Sequence, residues 1–122
     1  MKAYVDSSVV LRVVLHAPKA LAEWHVITHA AACGLLQIEC LRTIDRLRLT
    51  GDLKEREIPS VFAALHEVMD RVDLLRVSNE VIARAGQSFG RPLKTLDAIH
   101  LATALSWRER LGEDLPFATH DV

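Results

Sequence analysis

Short β-favouring runs alternate along this chain with amphipathic stretches of helical length, and this alternation limits the possible folds more than any other feature. Ala3, Tyr4 and Val5 form the first such run. The polar trio Asp6-Ser7-Ser8 follows, and Val9, Val10, Val13 and Val14 then take the i, i+3, i+4 spacing of one helical face, with Ser7 or Ser8 placed to cap it. Pro18 ends that helix, a second helical stretch is expected over 19–24, and Val26-Ile27-Thr28 reads as a short buried strand. Leu35, Ile38, Leu41, Ile44, Leu47 and Leu49 predict a long helix, which Gly51-Asp52 stops. Val61, Phe62, Leu65, Val68 and Met69 predict another over 58–69, with Pro59 tolerated near its start. Leu74, Leu75 and Val77 make a third strand, and Ser78 caps a helix through Val81, Ile82 and Ala85 that closes near 86–90. Thr95 caps a last helix from Leu96 to Arg110, and Phe117-Ala118-Thr119 is a final strand. Strands separated by helices in this way imply crossover connections, so the expected class is α/β: an α/β/α sandwich around a central parallel sheet of about four strands.

A chain of 122 residues holds one domain with a good core rather than two. Lys plus Arg number 15 and Asp plus Glu 16, a net charge of −1, which argues against a purely electrostatic nucleic-acid binder. No apolar run approaches the roughly 20 residues of a membrane span, and Asp6 interrupts the N-terminus too early for a signal peptide, so a soluble cytoplasmic protein is expected. Cys33 and Cys40, read as lying on one helix, have the wrong spacing for a disulfide and are expected to be free, buried thiols.

Four carboxylates fall where an open parallel sheet carries its chemistry, at and beyond the carboxyl ends of strands. Asp6 directly follows the first strand, and Asp121 lies two residues beyond Thr119 at the end of the last. Glu39 is in the first turns of the long helix and Asp97 in the first turn of the last. Each also has a plain structural reading. Asp97 is stabilised by the helix dipole by about 0.3–1 kcal/mol, Glu39 can pair with Arg42 at i+3, Asp6 can cap the first helix, and Asp121 can be a solvated tail residue. Together they point further, because Asp6 follows a buried-looking strand and Asp97 is set in Leu96-Asp97-Ala98-Ile99, where apolar neighbours make an unpaired carboxylate costly. Converging carboxylates repel and need a cation, and hard oxygen donors suit Mg²⁺ or Mn²⁺ rather than Zn²⁺. Two such ions roughly 3.5–4 Å apart activate water and stabilise the leaving oxygen in phosphodiester hydrolysis, so a metal-dependent nuclease is the expected chemistry. The hydroxyls of Ser8 and Thr119 are placed to orient these carboxylates, with capping for Ser8 and strand propensity for Thr119 as equally good accounts.

Tyr4-Val5-Asp6-Ser7-Ser8-Val9-Val10-Leu11-Arg12, Ile38-Glu39-Cys40-Leu41-Arg42, Thr95-Leu96-Asp97-Ala98-Ile99-His100-Leu101-Ala102-Thr103-Ala104 and Phe117-Ala118-Thr119-His120-Asp121 follow in this order. They resemble the motifs of PIN-domain ribonucleases, and within them the VapC toxins of bacterial toxin–antitoxin pairs. The resemblance covers essentially the whole chain and is carried by the four motifs in sequence rather than by any one. It implies a PIN-like fold in which Asp6, Glu39, Asp97 and Asp121 form an acidic quartet that binds Mg²⁺ or Mn²⁺ and cleaves RNA, with tRNA and rRNA as candidate substrates. It also implies a homodimer, and inhibition by a VapB-type antitoxin whose C-terminal segment packs into a groove and covers the acids. Two departures stand out. The family usually continues past the fourth acid with a helix and a final strand, so a single PIN-like domain over 1–122 without that last helix and strand is expected. Residues 28–37 are rich in alanine, with Cys33-Gly34 where relatives tend to carry Ser and Arg, so an altered second strand is expected.

Other residues admit two roles. His100, one turn from Asp97, serves either packing or proton transfer, and Arg42, Arg46, Arg48, Arg91 and Lys94 either contact phosphates or form a solvated face. Trp24 and Trp107 are either exposed partner anchors or core, and His16, His25, His29 and His66 lack the spacing of a zinc set. Three rival classes remain. A non-catalytic PIN-like module that binds an antitoxin or a second copy of itself needs no converging carboxylates. A receiver-type phospho-acceptor domain needs an acidic pair after the first strand, where Asp6 stands alone, and a Lys after the last. A DNA nuclease shares the chemistry and differs only in substrate.

Overall fold

A computed structural model describes residues 1–15 and 24–118. Its elements are β1 (Lys2–Val5), α1 (Ser7–Val14), β2 (His29–Cys33), α2 (Leu36–Leu49), a 3-10 turn (Glu55–Glu57), α3 (Ile58–Asp70), β3 (Val72–Leu75), α4 (Asn79–Ala85), α5 (Thr95–Leu111) and β4 (Phe117–Ala118). Residues 24–26 are helical as well, and the rest of the stretch expected to be helical over 19–24 lies outside the described residues. The strands form one parallel sheet in the order β3-β2-β1-β4, in register Ala3 to Ala30, Tyr4 to Ala31, Ala31 to Asp73 and Tyr4 to Phe117. A parallel sheet brings the carboxyl ends of all its strands to one rim, where the residues after β1, β2 and β3 meet.

Alternation along the strands divides the interior into two cores. Ala3, Val5, Ala30 and Ala32 face one side, where Val10 and Val14 of α1, Leu36 and Ile44 of α2 and Leu65 of α3 close over them. Tyr4, Ala31 and Cys33 face the other, beneath Ala104 and Trp107 of α5. Helices therefore cover both faces, and the expected sandwich forms. Each large side chain enclosed in these layers contributes about 1.5–3 kcal/mol of transfer free energy. Both tryptophans belong to the core and neither is an exposed anchor: Trp24 packs with the first cluster and Trp107 with the second.

Boundaries differ from expectation in instructive places. The second strand is His29–Cys33, not Val26-Ile27-Thr28, and the third starts at Val72 rather than Leu74. Asp6 caps α1 in place of either serine, and Lys94 occupies the cap position of α5 without a side-chain bond, so that Thr95 is already helical. Ser78 caps α4 as expected, accepting the Val81 amide at 3.2 Å. Thr119 lies outside the described residues, and the strand reaches Ala118. No helix among the described residues is long and apolar enough to cross a membrane.

Helix α5 ends at Gly112, whose φ of 67° is left-handed and whose missing Cβ would meet nothing within 4 Å. The cost of a side chain there is conformational only. Gly112→Ala is expected to lower stability by about 1–2 kcal/mol, read from the midpoint of urea unfolding. An unchanged midpoint would mean that the helix end readjusts without strain.

Candidate active site

Asp6 stands at the carboxyl end of β1 and is 7% exposed. A carboxylate so enclosed needs donors, and the first turn of α1 supplies them. Its Oδ1 accepts the Ser8 amide at 3.1 Å, the Val9 amide at 3.4 Å and the Ser8 hydroxyl. The capping reading of Asp6 is thus realised, and the Ser8 hydroxyl donates to the same carboxylate oxygen. All of these bonds fall on one oxygen, leaving Oδ2 without a hydrogen bond among the described residues.

Glu39 projects from the first turn of α2 with its side chain mostly covered, and its Oε1 lies 2.6 Å from Nε2 of His100. It does not pair with Arg42, which instead stands 3.5 Å from Asp45. His100 is buried on α5, and its Nδ1 lies 3.0 Å from the hydroxyl of Tyr4, which also accepts the Cys33 amide at 3.0 Å. A continuous line of hydrogen bonds therefore runs from the end of β2, through β1 and α5, to the carboxylate on α2. Sequence reasoning placed His100 near Asp97 but gave Tyr4 no role. The available signal was a tyrosine inside a buried strand and a histidine on the small-residue face of a helix, both polar groups that need a partner.

Asp97, in the first turn of α5, is exposed, and no hydrogen bond reaches its side chain among the described residues. The expectation that its apolar neighbours would enclose it is corrected: Leu96 is itself exposed, and only Ala98 turns fully inward. Asp121 and Thr119 lie outside the described residues. Of the four expected acids, the structure brings Asp6 and Glu39 near each other around Cys40, while Asp97 stands apart and exposed at the start of α5. Asp6 and Glu39 both lie close enough to Cys40 for their charges to act on its thiol, and Asp97 stands one helical turn before the histidine that holds Glu39. A groove of about 410 Å³ opens beside Glu39, with Ser7, Ile38, Arg42 and Leu96 among its walls. A larger one, about 740 Å³, lies between α4 and α5, where Arg84 pairs with Glu109 through two 2.8 Å bonds; Asp6, Glu39 and Asp97 are not among its walls.

Oxygen-only donors fit Mg²⁺ or Mn²⁺, and the carboxylate oxygens of Asp6 and Glu39 that accept no hydrogen bond among the described residues are of that kind. Among the described residues no three His, Cys, Asp or Glu side chains form a group that could hold an ion. The thiols offer no alternative chemistry. Cys33 is on β2 and Cys40 on α2, separate elements rather than one helix, and both are free and buried. Burial, with the Glu39 and Asp6 carboxylates adding to it, pushes the Cys40 thiol up to about 12, and burial raises Cys33 too. Neither forms a thiolate at neutral pH. Of the basic candidates, Arg48 is paired with Glu55 at 2.8 Å, while Arg42, Arg46, Arg91 and Lys94 are exposed.

The family model of the PIN domain matches residues 3–119. The chain is also 34% identical over 115 residues to Ribonuclease VapC46 of Mycobacterium tuberculosis (strain ATCC 25618 / H37Rv), an alignment that covers 92% of this chain and 78% of that protein.

Proposed function

This chain belongs to the PIN-domain family and is of its VapC type, and from that premise we propose that it is a Mg²⁺- or Mn²⁺-dependent endoribonuclease toxin. It acts as a single PIN-like domain in the cytoplasm, as a homodimer, and is neutralised by a cognate VapB-type antitoxin. The observation that carries this reading is the rim, where Asp6 follows β1 and Glu39, in the first turn of α2, lines a groove that Ser7 and Leu96, the neighbours of Asp6 and Asp97, also line. Asp6, Glu39, Asp97 and Asp121 would hold the ion. When bound, a divalent cation lowers the pKa of water and neutralises charge that develops on the phosphodiester.

The chain's own residues supply the positioning. The N-terminus of α1 fixes one oxygen of Asp6 through two amides and the Ser8 hydroxyl, and Thr119 is assigned a similar supporting role. Glu39 is fixed by His100. Arg42, exposed at the wall of the same groove, is suited to a backbone phosphate, since an acidic site cannot hold RNA by itself.

The test is cleavage of a panel of tRNAs and structured RNAs with Mg²⁺ or Mn²⁺, with EDTA, and by the Asp97→Asn variant. Asp97 is exposed and makes no side-chain hydrogen bond among the described residues, so its neutralisation removes only about 0.3–1 kcal/mol of helix-dipole energy and leaves the fold intact. Discrete cuts are expected that EDTA abolishes and that Asp97→Asn slows on the order of 10²-fold, the size of effect seen when one preorganised electrostatic group is lost. Cuts that survive both treatments refute a metal-dependent site. Folded protein that cuts nothing with any metal would instead favour an inactive module that binds an antitoxin or itself.

A further inference from the structure

We infer that Tyr4 and His100 are positioning residues for Glu39: the Tyr4 hydroxyl sets the ring of His100, and His100 holds the Glu39 carboxylate toward the groove. The inference rests on the reading of Glu39 as part of the nuclease site. Hydrogen-bond accounting carries it. The Cys33 amide can only donate, so Tyr4 Oη accepts there at 3.0 Å and has its own hydrogen to give. An ionised Glu39 only accepts, so the hydrogen of a neutral His100 ring is on Nε2, and Nδ1, 3.0 Å from the Tyr4 hydroxyl, is then the acceptor for that hydroxyl's hydrogen. Nε2 then donates to Oε1 of Glu39 at 2.6 Å. Every member has its partner and one direction of donation satisfies all three bonds.

Position gives the line its purpose. It starts at a backbone amide of the central sheet and ends at a mostly covered acid on the rim. His100 is 4% exposed and Tyr4 1%, so neither can turn to water for an alternative partner. Burial raises the Tyr4 hydroxyl well above its ordinary range, which keeps it a donor at any working pH. A purely packed position in this layer would need no nitrogen or hydroxyl at all, as Ala31 and Ala104 beside them illustrate.

The test compares wild type with Tyr4→Phe, His100→Gln, His100→Ala and Glu39→Gln. Mn²⁺ affinity of the RNA-free protein is measured by calorimetry, kcat and KM by RNA cleavage, and the position of the imidazole hydrogen by ¹H–¹⁵N spectra of the histidine rings. Tyr4→Phe and His100→Ala are each expected to weaken Mn²⁺ binding and kcat by about 10–100-fold, as loss of supporting hydrogen bonds around metal ligands does, with KM little changed. His100→Gln, whose amide can donate from nearly the Nε2 position, recovers part of the loss. The ring hydrogen is on Nε2 in wild type and is no longer confined there in Tyr4→Phe. A Tyr4→Phe protein with wild-type Mn²⁺ affinity, kcat and ring spectrum overturns the positioning role while leaving the nuclease intact. Wild type that neither binds Mn²⁺ nor cuts RNA, or Glu39→Gln that does both normally, overturns the reading of the site and this inference with it. If His100→Ala does not fold, Tyr4→Phe, which removes a single oxygen, decides the matter.

Discussion

Asp6→Ala is expected to cost on the order of 10³ in RNA cleavage and about 1–2 kcal/mol in stability, whereas Asp6→Ser is expected to cost as much activity and little stability. The two variants separate two roles held by one side chain. As the cap of α1, Asp6 accepts the Ser8 and Val9 amides, orphan donors that alanine leaves unsatisfied beneath a nearly closed surface. Serine is as good a cap as aspartate, so its hydroxyl restores the acceptor while removing the charge. The activity loss exceeds that expected for Asp97→Asn because the Asp6 carboxylate is nearly enclosed and held in place by three donors, whereas Asp97 is exposed to water, which screens its charge. Cleavage rates and urea midpoints of the two variants are the measurements. Full activity in Asp6→Ser would reduce Asp6 to a structural cap, and an unchanged midpoint in Asp6→Ala would show that the cap contributes nothing.

This double role was open in the sequence, because a polar trio after a buried strand suits a helix cap and a strand-end ligand equally. Local patterns of this kind were legible: the α/β class, most of the helices and the Ser78 cap all follow from period and capping chemistry. Two kinds of information were not local. The bond between Tyr4 and His100 joins residues 96 positions apart, and no spacing in either motif encodes it. The environment of Asp97 was misread for a different reason. Successive residues on a helix point about 100° apart, so apolar neighbours in the sequence do not surround a side chain in space. Leu96 points out, Ala98 points in, and Asp97 is left at the surface. The shift of the second strand has a third cause. Val26-Ile27-Thr28 has the stronger β propensity, yet the sheet takes His29-Ala30-Ala31-Ala32-Cys33, whose small side chains leave room for helices on both faces and for the larger Tyr4 and Val5 of the adjacent β1.

That last cause yields the other large prediction, in which Ala31→Leu lowers stability by about 3 kcal/mol and cleavage on the order of 10²-fold. Ala31 is fully buried between Tyr4 of β1 and Asp73 of β3 in the register, on the face covered by Ala104 and Trp107 of α5. Small residues on both sides of this contact let the helix lie close to the sheet. Leucine adds a bulk that this layer can take up only by moving α5 outward or by driving Tyr4 and Trp107 from their rotamers, and interiors at crystalline density resist both. The same helix carries Asp97 and His100, so its displacement also shifts two groups at the rim, and a shift near 1 Å is enough for the stated loss of rate. Urea unfolding and RNA cleavage of the variant test the two halves together. A destabilised protein that retains wild-type cleavage would show that strain at the central strand is absorbed before it reaches the rim. An unchanged midpoint would show that the face beneath α5 has room to spare, and the alanines of β2 would then need a reason other than packing.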